Sequence, residues 1–220
     1  NTQQGATESS HLNIVRLYTE QGAGSEKPSM EVWFHTLLSQ YVLHTHSVYV
    51  NILGCTNEGT EIFLEIMKES GVSTIAISYC NPGFELGEVM SKRLSELGVS
   101  PAVIFLENHG IIISGNSAKE CAKLHDLVEQ KIKERLRITG DPFDMGRLHD
   151  EEIDDFDSLI LFPDQVIYPE HAAVRAAHRF ILKYIRKNGL SVRVIPDKDV
   201  NVVENMESEK HRRSLEKIKP

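Results

Sequence analysis

The sequence lacks the features that mark membrane-spanning, disulfide-stabilised and nucleic-acid-binding proteins. None of its apolar runs approaches the roughly 20 residues that a membrane-spanning helix needs. Its three cysteines (Cys55, Cys80 and Cys121) are odd in number and widely spaced, which argues against a disulfide framework and a CxxC metal knuckle. The formal net charge of -8 disfavours binding to a phosphate backbone. We therefore expect a cytoplasmic protein with free thiols that binds neither membranes nor nucleic acid.

The composition is that of a folded chain with an ordinary core. The 220 residues are 40% hydrophobic and 25% charged. Strand and helix patterns alternate over residues 1–140, which predicts an α/β or α+β layer fold. An acidic stretch from Gly140 to Asp157 predicts a solvated linker. It is followed by patterns for a strand (Ser158–Phe162), a helix (His171–Lys187), a strand (Ser191–Ile195) and a terminal helix (Glu207–Ile218).

These patterns predict two parts. Residues 1–140 would form a catalytic core, and residues 141–220 would form the acidic linker and a C-terminal α/β extension packed on that core. Because the chain begins with Asn1 rather than Met, we expect it to start inside a longer gene product, so that the N-terminal part of the core is missing.

The first group of chemically active residues is His44-Thr45-His46. Residues i and i+2 of a strand project from the same face, so both imidazoles can reach one point. Two neutral imidazoles at this spacing are half of a zinc site. The alternative is a pair of partly buried, hydrogen-bonded histidines.

A second group, Asn108-His109-Gly110, follows the apolar strand Ala102–Leu106 directly. A third imidazole would complete a three-histidine site that leaves one position open for substrate or water. The alternative is an ordinary loop at a strand end. Glu31, near a predicted helix start, either serves the helix dipole or moves a proton beside a metal.

Taken together, these motifs resemble the class II aldolase/adducin-head family. The resemblance rests on Pro28-Ser29-Met30-Glu31 with His35, on His44-Thr45-His46, and on Glu107-Asn108-His109-Gly110, in that order. It covers roughly residues 8 to 138 and is closest to the zinc-dependent fuculose- and rhamnulose-phosphate aldolases. It implies a central, mainly antiparallel sheet flanked by helices. Phe162–Tyr168 also resembles a segment of longer members.

The resemblance implies a role for each matching residue. His44, His46 and His109 would be ligands of zinc or another divalent metal, and Glu31 the catalytic acid/base. Ser29 would bind substrate phosphate. We also assign substrate binding to Asn108 and Gly110, and proton donation to the leaving aldehyde to Tyr79, whose alternative is simple packing. His35 would support the site or simply pack.

The implied activity is that of a metal-dependent aldolase, a carbon–carbon lyase of carbohydrate metabolism. It would reversibly cleave a sugar phosphate or sugar acid through a zinc-stabilised enediolate. The alternatives are an epimerase, dehydratase or decarboxylase with the same site, or a non-catalytic adducin-like assembly module. The Asn-x-Ser loop and the Ser/Thr-Gly pair of the family's phosphate site have no counterpart in the sequence. By analogy with the family, we expect a homotetramer with sites near subunit boundaries.

Overall fold

The computed structural model describes residues 31–98, 100–143 and 156–205. The helices are α1 (Val32–Leu37), α2 (Val48–Gly54), α3 (Gly59–Glu69), α4 (Phe84–Leu97), α5 (Ala118–Leu136), α6 (Asp164–Ile167) and α7 (Ala172–Lys187). A further helix, α8, covers residues 197–205. The strands are β1 (Tyr41–Thr45), β2 (Thr74–Ile77), β3 (Val103–Leu106) and β4 (Gly110–Gly115). The predicted helix at 207–218 and most of the acidic stretch lie outside the described residues.

The four strands form one sheet in the order β1-β4-β3-β2. β4 pairs antiparallel with β1 and with β3, whereas β2 pairs parallel with β3. The parallel pair is possible because α4 carries the chain back along the sheet between the two strands. The predicted layer fold with a mainly antiparallel sheet is confirmed.

Both faces of the sheet are covered by helices. On β3, Val103 and Phe105 pack with residues of α3 and α5, while Ile104 and Leu106 face the other way, toward α1 and α4. All four side chains are at most 2% exposed. A strand buried on both faces has no polar side to show, which explains the uninterrupted apolar run in the sequence.

Capping residues fix several helix ends. The Ser117 hydroxyl accepts a hydrogen bond from the backbone N–H of Glu120 at 3.1 Å and so caps α5. Gly98 ends α4 in the left-handed conformation, with φ 65°. Glu31 occupies the N-cap position of α1, and Ser29 lies outside the described residues.

The predicted strands at 158–162 and 191–195 are wrong. Leu161 and Phe162 are both buried against α7, whereas neighbouring residues in a strand would point to opposite faces. Val192 makes only an isolated bridge with Thr56. The apolar residues of these stretches serve packing between α2 and α7, so the described part of the extension is helical rather than α/β.

No helix in the described part of the chain is long and apolar enough to cross a membrane. All three cysteines are free thiols; Cys55 and Cys121 are buried, and Cys80 is half-buried.

Candidate metal centre

Four residues from three separate parts of the chain meet at one end of the sheet. Glu31 lies at the start of α1, His44 and His46 at the end of β1, and His109 directly before β4. One ligand atom from each side chain lies within 4.8 Å of the others. Within residues 31–98, 100–143 and 156–205, this is the only group of three or more potential metal-ligating side chains.

The close approach of β1 and β4 depends on Gly110. A Cβ atom at this position would lie 2.3 Å from the Thr45 carbonyl oxygen and 3.1 Å from the Cα of His46. Only glycine therefore lets the strand that follows His109 pack this tightly against the strand that carries the other two histidines. This is a structural use for a residue that the sequence assigns to substrate binding.

The reactive nitrogens face one another over short distances. Nε2 of His44 and Nε2 of His46 are 3.0 Å apart. Oε1 of Glu31 lies 3.1 Å from Nε2 of His109 and 3.5 Å from Nε2 of His44. The His109 side chain is 3% exposed, whereas those of Glu31, His44 and His46 are half-buried.

The Nδ1 atoms of His44 and His46 are fixed by groups that can only accept a hydrogen bond. His44 Nδ1–H donates to the Ile111 carbonyl oxygen at 2.9 Å, and His46 Nδ1–H donates to Oδ2 of Asp164 at 2.7 Å. In the neutral rings, both Nε2 atoms then carry lone pairs that point at each other. Two lone pairs this close repel each other unless a cation lies between them, and three imidazoles with a carboxylate suit a divalent metal such as zinc.

Burial and the neighbouring charges shift the titration of two members of the cluster. Burial alone would raise the pKa of Glu31, but hydrogen bonding and charge attraction from His109 and His44 outweigh it and hold that pKa well below its ordinary range. Burial lowers the pKa of His109 to about 4; Glu31 opposes this shift, and His46 and His44 add to it. In the absence of a metal ion at neutral pH, the His109 imidazole is therefore uncharged.

The pKa values of two further histidines, His46 in the cluster and His35 beside it, shift in opposite directions. Burial lowers the pKa of His46, but the Asp164 carboxylate more than compensates, so the net direction is upward. The pKa of His35 is lowered by burial and then by His44, against an opposing effect of Glu31. His35 stacks beside Phe34, which in turn contacts the His44 ring edge-on. His35 thus adjoins the cluster without belonging to it.

Asn108, which the sequence assigns to substrate binding, and Tyr79, which it assigns to proton donation, lie among other neighbours. Asn108 is fully buried, and its side-chain N–H groups donate to the carbonyl oxygens of Leu161 and Arg193 at 2.8 and 3.0 Å. Its backbone has φ 52°, a left-handed conformation that asparagine tolerates. The Tyr79 hydroxyl is buried without a hydrogen-bond partner, and burial, Asp199, Cys80 and Glu85 raise its pKa. No contact between Tyr79 and the cluster is seen.

Asp164 is the residue near the cluster that sequence reasoning missed. It lies in α6, far along the chain from His46, and no spacing rule connects the two. The available signal was the resemblance of Phe162–Tyr168 to a segment of longer family members. A cavity of about 330 Å³ begins at His46 and Asp164 and continues between apolar side chains of α2, α7 and the 156–168 segment.

Comparison with known proteins agrees with this geometry. Residues 2–136 match the family described as the Class II Aldolase and Adducin N-terminal domain. A 3-oxo-tetronate 4-phosphate decarboxylase of Haemophilus influenzae is 24% identical over 146 residues, which is 61% of this chain and 67% of that protein. The enzyme of the same name from Escherichia coli O6:H1 is 28% identical over 127 residues, or 53% of this chain and 58% of that protein.

A solved structure shares the fold. The N-terminal class II aldolase domain of a conserved protein from Thermoplasma acidophilum superimposes with a TM-score of 0.50 at 18% identity, over 61% of this chain and 60% of that one. The match of the family domain extends over more than half of the 220 residues. The chain therefore belongs to the class II aldolase and adducin N-terminal domain family.

Proposed function

We propose that the protein is a metal-dependent lyase that breaks the carbon–carbon bond between the α and β carbons of a carbonyl group in a sugar phosphate or sugar acid. The observation that carries this proposal is the convergence of Glu31, His44, His46 and His109 on one point. Three imidazoles are sufficient to hold zinc and leave a position for substrate oxygen. A divalent ion held there would act as a Lewis acid on the carbonyl oxygen and offset the negative charge that develops on it.

Within this proposal the protein residues have separate tasks. His44, His46 and His109 hold the ion, and Glu31 moves a proton at the substrate, since its carboxylate adjoins two of the three imidazoles. In a retro-aldol cleavage, the hydroxyl group next to the breaking bond loses its proton and becomes the aldehyde. The bonding electrons pass to the carbonyl side, and one proton returns to the carbon that lost its partner.

The cavity beside His46 supports the proposal because it offers room for a small substrate next to the ligand cluster. Its volume of about 330 Å³ is in the range of small-molecule sites. Its described lining contains Asp164 and His171 but neither lysine nor arginine. This lining offers a phosphate group neither lysine nor arginine, and Ser29, outside the described residues, stays our proposed contact for it.

Decarboxylation of a 3-oxo acid is the second candidate, because both curated relatives carry that activity in their names. The leaving group is then carbon dioxide in place of an aldehyde, and the electrons again pass to the carbonyl side. The same charge stabilisation therefore serves both reactions, and a proton from Glu31 on the carbon completes either one. Tyr79 as proton donor and Asn108 and Gly110 as substrate contacts stay predictions.

The deciding experiment incubates the zinc-loaded chain with a panel of ketose phosphates, free sugar acids and 3-oxo sugar-acid phosphates. Products are followed by ¹³C NMR, with an EDTA-treated sample and the variant Glu31→Gln in parallel. Chelator-sensitive release of an aldehyde supports the aldolase, and chelator-sensitive release of carbon dioxide supports the decarboxylase. Turnover that persists in EDTA and in the Glu31 variant contradicts the proposal, as does a zinc-loaded chain that turns over no member of the panel.

The proposal also covers the assembly and the cellular location. We propose a cytoplasmic homotetramer, from the family resemblance, and light scattering on the purified chain tests the tetramer. A non-catalytic assembly module would need no metal, so zinc binding also separates this alternative from the lyases.

A further inference from the structure

We infer that Asp164 is a positioning residue of the metal centre, and that the segment after the matched family domain thereby completes that centre. This inference rests on the proposed function, because it assumes that His46 binds a metal ion. The matched domain ends at residue 136, whereas Asp164 begins α6. The sequence alone treats this region as an appendage packed on the core.

The geometry assigns Asp164 a defined task. Its Oδ2 atom accepts a hydrogen bond from Nδ1 of His46 at 2.7 Å, a distance typical of a charge-assisted bond. A carboxylate only accepts, so it keeps the proton on Nδ1 and leaves the lone pair of Nε2 directed at His44. A carboxylate bonded to the distal nitrogen of a ligating histidine fixes the ring and raises its basicity.

The position of Asp164 is itself tightly held. The next residue, Gln165, is 2% exposed. Its side-chain oxygen accepts the backbone N–H of Leu161 at 2.6 Å, and its side-chain nitrogen donates to the carbonyl oxygen of Phe156 at 3.0 Å. The buried Gln165 side chain thus links residues 156, 161 and 165 by hydrogen bonds. These bonds restrict the positions that the adjacent Asp164 carboxylate can occupy.

A second set of contacts ties this segment to the loop that carries His109. Asn108 donates to the carbonyl oxygens of Leu161 and Arg193, and the Arg193 guanidinium lies 2.7 Å from Oε1 of Glu107. Glu107 and Asn108, the two residues before His109, therefore both bind to the C-terminal segment. The contacts fix the carboxylate of Asp164 relative to the whole cluster.

The test measures zinc affinity by competition with a chromophoric chelator on the full chain. The variants are Asp164→Asn and Asp164→Ala, and the matched control is Asp157→Asn, an exposed aspartate of the same segment. We expect Asp164→Ala to weaken zinc binding roughly 10- to 100-fold, with Asp164→Asn between it and the parent. The control should stay within twofold of the parent.

A second readout separates positioning from mere packing. Long-range ¹H–¹⁵N spectra of the metal-free chain report which ring nitrogen of His46 carries the proton. We expect Nδ1–H in the parent and in Asp157→Asn, and a mixture of both forms in Asp164→Ala. Circular dichroism in EDTA identifies any variant that fails to fold, and Asp164→Asn, equal in size to the parent residue, then provides the comparison.

The outcomes distinguish the two proposals. If the parent binds zinc and both Asp164 variants match it within twofold with an unchanged His46 proton, the inference is overturned while the metal centre stands. If the parent chain binds no divalent ion, the proposed function fails and the inference fails with it.

Discussion

Oε1 of Glu31 lies 3.1 Å from Nε2 of His109, so that the start of the first described helix touches the turn between the third and fourth strands. The same oxygen lies 3.5 Å from Nε2 of His44. A single carboxylate atom thus adjoins two of the three proposed metal ligands. This relationship gives Glu31 its proposed part in proton transfer.

The variant Glu31→Gln should bind zinc and lose activity. Glutamine preserves the size of the side chain but cannot carry a proton between substrate atoms. We expect kcat to fall about 10²- to 10⁴-fold, on the substrate that the panel identifies. Glu61→Gln, at an exposed position of α3, is the control and should keep full activity. Equal kcat values for the parent and Glu31→Gln would remove the acid/base role.

Replacing Gly110 by alanine should destabilise the sheet. The added Cβ would lie 2.3 Å from the Thr45 carbonyl oxygen, so β1 and β4 must separate. We expect the free energy of unfolding to fall by about 1–3 kcal/mol, the usual cost of overpacking, in urea titrations of the metal-free chain. Gly71→Asn is the control, because Gly71 has open space around it and asparagine tolerates its φ of 68°. A Gly110→Ala protein as stable as the parent would show that the strands can separate without cost.

Acid should destabilise the metal-free chain partly through His109. Its folded-state pKa of about 4 lies below the ordinary value of 6.5, because burial disfavours the charged ring. A depressed pKa contributes stability that is complete above pH 6.5 and is lost as the pH falls toward 4. His109→Gln cannot titrate, so its urea stability in EDTA should fall less steeply over this window. Parallel curves for the two proteins would contradict a buried, neutral His109.

The parts of the site that follow local rules could be predicted from the sequence. His44 and His46 share a direction because alternate strand residues do, and His109 follows a strand whose apolar run marks it as buried on both faces. The pairing of β1 with β4 then brings the end of one strand beside the start of the other. Distances between these groups are a property of the fold, but the residue types and their order already indicated a common site.

Other features could not be predicted, because they depend on contacts between distant parts of the chain. Asp164 contacts His46 across a separation of 118 residues, and its own neighbourhood has no periodic pattern. The adjacent apolar residues Leu161 and Phe162 predict a strand, yet both side chains are buried in the same hydrophobic cluster. The position of Asn108 after a buried strand predicts a substrate-binding residue, but its side-chain N–H groups donate to two backbone carbonyl oxygens.

The most direct test of the account is the zinc content of the chain. The protein is stripped with EDTA, reloaded with zinc and freed of unbound metal, and its zinc content is measured by elemental mass spectrometry. The variants His44→Ala, His46→Ala and His109→Ala are treated in the same way. The account predicts about one zinc ion per parent chain, as three protein ligands imply, and its loss from each variant. A parent chain without zinc, or variants that retain the full complement, would contradict it.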